Sequence, residues 1–215
     1  MILKVHNAQK IICYNLFTMK NHKVPLILLA IYALVFIWSA ISPIDREVWV
    51  IEAITSFLPV LILLILYYKK VRFSNLAYIL MAFLPIMHVI GAHYTFANVP
   101  FDWFDNLFGF TRNMYDRVAH MTVGFYAFGI AEVLYLRGLV KNKIIAWTYA
   151  VFAIMALAAA YELFEWVYAV SSDPSAGIAI LGSQGDIWDA QKDMLMDTVG
   201  GVIGATMFIF KKTKV

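Results

Sequence analysis

Six stretches of this chain, near 24–41, 49–68, 74–93, 118–136, 144–169 and 190–210, run almost uninterrupted in apolar residues. About 20 such residues wind into a helix as long as the hydrocarbon core of a bilayer is thick. Inside that core only helices and closed barrels satisfy their own backbone hydrogen bonds. The pattern therefore predicts an all-α, polytopic membrane protein built as a six-helix bundle. Composition agrees: 62% of residues are hydrophobic and 14% charged, against about 25% charged in soluble domains. A single cysteine, Cys13, excludes an intrachain disulfide and a cysteine-based zinc site.

Basic residues set the expected orientation. Lys4, Lys10, Lys20 and Lys23 precede the first span. Lys69, Lys70 and Arg72 follow the second, and Arg137, Lys141 and Lys143 follow the fourth. Lys211, Lys212 and Lys214 end the chain, so thirteen of seventeen Lys and Arg fall on one side. The positive-inside rule makes that side cytoplasmic, with both termini inside. The organisation expected is a cytoplasmic segment over 1–23, one membrane domain over 24–210 and a basic tail over 211–215. The first 23 residues lack the apolar core of a signal peptide. They read either as an ordinary cytoplasmic tail or as an extension upstream of a start at Met19.

On the other side lie the loop SPIDRE, the aromatic segment YTFANVPFDWFDNLFGFTRNMYD, expected along the membrane interface, and the loop SSDPSAGIAILGSQGD. Thirteen of the fourteen Asp and Glu fall in these outer loops or the outer ends of helices. Only Glu132 lies toward the cytoplasm, where Arg137 is its expected partner.

At 100° per residue, Asp186, Asp189, Asp193 and Asp197 occupy about 80° of arc, with Gly200 and Gly204 continuing that face. Asp116 and His120 share a face with Gly124, Ala127 and Ala131. Glu162 and Glu165 share one with Met155 and Ala158. Small residues let membrane helices approach closely, so these three faces are expected to converge below a shared outer cavity. Seven carboxylates there require compensation. Arg112, Arg117 and Lys192 offset some of that charge, and the remaining acids are expected to be protonated, hydrated or neutralised by a bound cation. Oxygen ligands suit Mg²⁺, Ca²⁺ or Mn²⁺, and adding His120, His88 or His93 also suits Zn²⁺ or Fe. His88 and His93 lie about 140° apart on their helix, so one of them is expected to face the cavity.

Plainer readings compete. Asp186 and Asp189 are placed to cap the last helix. Asp116 has arginines beside it, and Trp166 and Trp188 read as interfacial anchors. Glu162, Glu165 and Asp193 have neither a cap to form nor a cation nearby in sequence. Expected ligands are therefore Glu162, Glu165, Asp189, Asp193 and His120, with Glu162, Asp116 and His120 as the catalytic group.

In RNMYDRVAH (112–120), YELFEW (161–166) and GSQGDIWDAQKDM (182–194) the chain resembles the YjdF family of bacterial inner-membrane proteins, over most of its length from the second span onward. The order D-x3-H, E-x2-E, then D-x3-D before a glycine-rich span is more distantly similar to VanZ-like proteins, membrane proteins associated with glycopeptide resistance. That resemblance implies a polar site containing Asp116, His120, Glu162, Asp189 and Asp193. Both imply a multi-pass protein of the bacterial inner membrane, without specifying a reaction.

Two classes of function follow. One is a metal-dependent hydrolase or transferase at the outer leaflet, acting on a lipid or lipid-linked envelope substrate. The other is a non-enzymatic protein that binds an ion, a proton or a cationic ligand in transport or envelope stress. No G-x-S-x-G, P-loop, H-E-x-x-H or dinucleotide fingerprint occurs. The expected partner is the lipid bilayer, with no nucleic acid.

Overall fold

The structure is a computed structural model that describes residues 23–172 and 174–213. The two candidate starts, Lys4, Lys10, Lys20 and Lys214 lie outside the described residues. Among those described, nine helices and no strands form: α1 (Lys23–Ser39), α2 (Arg46–Tyr68), α3 (Asn75–Tyr94), α4 (Asp102–Phe108), α5 (Tyr115–Gly124), α6 (Tyr126–Leu136), α7 (Lys143–Ser171), α8 (Pro174–Leu181) and α9 (Asp189–Phe210). Five units are long and apolar enough to cross a membrane: α2, α3, α5 with α6, α7 and α9. Helix α1 is apolar between Lys23 and Ser39 but spans seventeen residues.

Polar residues begin these helices where capping chemistry places them. Asp45 accepts from the amides of Glu47 and Val48, Ser74 from Ala77, and Asn142 from Ile144. Helix α7, at 29 residues, is ~44 Å long against a hydrocarbon core of ~30 Å, so it tilts or projects. The expected fourth span is two helices that meet at Phe125, whose amide bonds to the Thr122 carbonyl.

The core lies between α3, α6, α7 and α9, where Met81, Phe128, Ile154 and Phe208 are almost wholly buried. Against it α5 and α9 touch backbone to backbone. A Cβ on Gly124 would meet the backbone of Gly200 and Gly201, and one on Gly200 would meet the Met121 carbonyl. Ala127, Ala131 and Ala158 extend this seam. With lipid as the solvent, such close fit rather than apolar burial is what holds helices together. Helix α1 packs on α3, and a hydrogen-bond chain from Tyr32 through Ser56 to the Pro85 carbonyl ties α1, α2 and α3 together.

Two local expectations change. Glu132 is answered by Lys211 and the Ser74 amide, while Arg137 donates to the Lys70 carbonyl. The lysine reaches back from the end of α9, a contact that sequence distance conceals. The loop after α7 contains helix α8, begun by Pro174 as proline favours and followed by Gly182 at φ +56°. Eight residues are too few to register as a span.

Candidate functional site

Helices α5, α7 and α9 bring their acidic ends together, and α2 and α3 add two groups from the opposite side. The start of α5 is fixed by its loop. Asp105 accepts from the Met114 amide, and Asn113 accepts from the Tyr115 amide while donating to the Val99 carbonyl. Gln184 bonds both backbone groups of Asn113, joining the GSQGD turn to α5.

The outermost part is a lattice of charges. Arg112 reaches Asp189 at 2.9 Å and Asp186 at 3.5 Å. Arg117, itself buried, pairs with Asp189 and Asp193 and lies 3.4 Å from Asp186. Lys192 binds Asp186 at 2.6 Å. This ammonium, together with the Trp188 amide, holds the Asp186 carboxyl below the usual carboxylate range. Asp186 thus braces the turn before α9 rather than capping the helix, which has no side-chain cap. The arginines go to the acids of α9, not to Asp116. Arg117 therefore answers Asp193, an acid for which the sequence offers no partner.

Below the lattice, His120 is the hub. Its Nδ1 lies 3.3 Å from each oxygen of Asp197, fixing the ring. Its Nε2 faces Asp116 at 3.7 Å and Asp193 at 3.9 Å. One ligand atom from each of Asp116, His120 and Asp193 lies within 4.8 Å of the others. Atoms bound at ~2.0–2.4 Å to one cation lie at most ~4–4.8 Å apart, so the trio suits a metal ion. Glu162 stands within electrostatic reach of Asp116, His120, Asp193 and Asp197. Its Oε1 is buried with no hydrogen-bond partner among the described residues.

The facing wall was legible only in part. Glu52 of α2 is 2% exposed and binds His88 Nε2 at 2.8 Å, and the Tyr161 hydroxyl donates to the same carboxylate at 3.4 Å. Glu165, also buried, lies beside Tyr161. The Tyr161 ring stands between the two histidines, 6.4 Å from His88 and 6.1 Å from His120. His93 turns away and bonds the Ser39 carbonyl. The signal for Glu52 was present: an acid within an apolar span is functional by default. Tyr161 had no such signal.

These groups line one end of a cleft of about 610 Å³. From Glu52, His88, Asp116, His120, Tyr161 and Glu165 it continues between α2 and the α5–α6 pair, past Ile62, Val123 and Ile130, to Leu66, Leu134 and Arg137. Ile180 and Gly182, at the end of α8, border its polar end.

Residues 24–214 match the family described as "Predicted membrane protein (DUF2238)". The chain belongs to that family. It is also 32% identical over 172 residues to the inner membrane protein YjdF of Escherichia coli (strain K12), covering 79% of this chain and 81% of that protein. The more distant likeness to VanZ-like proteins is not shown by these matches. No solved structure matches significantly. Family and helices together make this a multi-pass membrane protein.

Proposed function

We propose that this protein is a six-span protein of the bacterial inner membrane, with both termini cytoplasmic and its acidic site at the outer leaflet. That site holds a divalent cation (Mg²⁺, Ca²⁺, Mn²⁺ or Zn²⁺) between Asp116, His120 and Asp193, and acts on a lipid or lipid-linked envelope substrate as a hydrolase or transferase. The observation that carries this reading is the trio of ligand atoms within 4.8 Å, with His120 oriented by Asp197 as metal-bound histidines are oriented by a carboxylate. A cation there supplies Lewis acidity toward a phosphoryl or ester oxygen, or an activated water. Glu162, with an unpartnered buried oxygen beside the trio, is the general base or a further ligand. Glu165 belongs to the facing wall. Asp189, gripped by two arginines, supports the site through charge rather than ligation.

Metal analysis of the purified full chain tests this. A stoichiometric divalent cation is expected in the parent protein and in an exposed control, Glu47→Gln. It should be lost in Asp116→Asn and His120→Ala. Glu162→Gln is expected to keep the fold while abolishing metal retention or activity. No cation in the parent, together with a silent Glu162→Gln, would overturn the metal reading in favour of a non-enzymatic protein that binds an ion, a proton or a cationic ligand. One observation already favours that second reading: Arg117 supplies Asp193 with a positive charge.

A further inference from the structure

The cleft has properties that the cation site does not explain. On α2 it runs from Glu52 to Leu66, fourteen residues or ~21 Å of helix. One leaflet of hydrocarbon is about half of the ~30 Å core, so the cleft accommodates a full-length acyl chain. Its middle is apolar, and apolar cavities do not retain water. It also opens sideways. Leu58 and Ile62 on α2 and Leu157 on α7 line it and are 56%, 48% and 52% exposed at the surface of the bundle. In a bilayer that surface meets hydrocarbon, so entry is from the membrane rather than from water.

The polar end selects the head of whatever enters. Four carboxylates border it, Glu52, Asp116, Glu165 and Asp197, along with His88, His120 and the rings of Tyr161 and Phe96. Among the described residues, the only Arg or Lys lining the cleft is Arg137, at the opposite end. Arg112 and Arg117, the basic groups nearest the acids, are engaged by Asp186, Asp189 and Asp193. A bare phosphate placed at the polar end would meet carboxylates. An ammonium would meet carboxyl oxygens that accept its hydrogen bonds, with the rings of Tyr161 and Phe96 nearby, and aromatic rings favour cations.

We infer that the cleft binds a bilayer lipid with an ammonium headgroup, its acyl chain lying along α2 and its ammonium between Glu52, Glu165 and Asp116. This rests on the lipid part of the proposed function but not on the cation. The occupant reaches its site laterally, headgroup foremost among the acids, which places the bonds of its head beside the Asp116–His120–Asp193 trio. Glu52, held by His88 and Tyr161, is a positioning residue for the ammonium.

Native mass spectrometry of the full chain, released from detergent and titrated with phosphatidylethanolamine, phosphatidylglycerol or diacylglycerol, tests the inference. Retention of phosphatidylethanolamine at least tenfold above the other two is expected, unchanged after EDTA treatment. Glu52→Gln with Glu165→Gln should abolish the preference while leaving general lipid adducts. Ile62→Trp, which narrows the cleft away from the acids, should lower retention of all three lipids. Equal retention of the three, or preference for phosphatidylglycerol, would overturn the inference. So would a preference that EDTA removes, because the head would then be held through a cation. If phosphatidylethanolamine is preferred and metal analysis finds no cation, the metal reading fails and this one stands.

Discussion

Arg117 is the residue on which the polar end depends. It is 3% exposed and reaches carboxylates on the first two turns of α9, Asp189 and Asp193. Breaking a buried pair by removing one partner typically costs ~3–5 kcal/mol, because the other charge stays buried and unanswered. Arg117→Ala is therefore expected to lower the apparent melting temperature in detergent sharply. Adding Asp189→Asn and Asp193→Asn to that variant should recover much of the loss, since neutral amides remove the stranded charge. An Arg117→Ala protein as stable as the parent would show that the lattice is solvated rather than buried. The same physics separates Asp186, whose exposed partner Lys192 contributes little.

At the scale of helices, the site is assembled by close approach of α5 and α9. Gly200→Ala would place a methyl group on the Met121 carbonyl, and backbone cannot yield as a side-chain tip can. It is expected to push the helices apart, lowering the yield of monodisperse protein and separating His120 from Asp197. Gly201→Ala is the control, because its Cβ would sit at an ordinary 3.4 Å from Ile154. Equal behaviour of the two in size-exclusion chromatography and melting would refute the seam. This packing was largely legible in the sequence, since Gly124, Ala127, Ala158, Gly200 and Gly204 fall at helical spacing. The Glu52–His88 contact was not. Its partners lie 36 residues apart on helices whose mutual rotation no single helix encodes. Helix α8 escapes a sequence reading because PSAGIAIL is shorter than any membrane window. Arg117 is legible as a source of compensating charge, but its choice of the α9 acids over its sequence neighbour Asp116 is not.

At the scale of the whole molecule, most acids and most bases fall at opposite ends of the bundle, the exceptions being Glu132 at the basic end and Arg112, Arg117 and Lys192 among the acids. Arg72, Lys141 and Lys211 sit near helix ends on one side, and Asp116, Glu165 and Asp189 on the other. The bias of basic residues toward the cytoplasm would orient such a bundle with its basic end inside and the site facing outward, as proposed above. The number of crossings matters to this outcome. If α1 spans despite its seventeen residues, ~26 Å of helix, then Lys23 shares the basic side with Lys211. If it does not, the described chain crosses five times and Lys23 lies on the acidic side. Reporter fusions resolve the two. Fusions after Lys70 and Leu139 are expected to report cytoplasm, and fusions near Asn106 and Ser175 the exterior. A fusion at Lys23 should match the cytoplasmic pair. An exterior signal at Lys23 with the other four as expected would remove α1 from the membrane yet leave the site outside. Reversal at any two of the four loop positions would turn the bundle over and place the acidic site, with any lipid it holds, on the cytoplasmic leaflet.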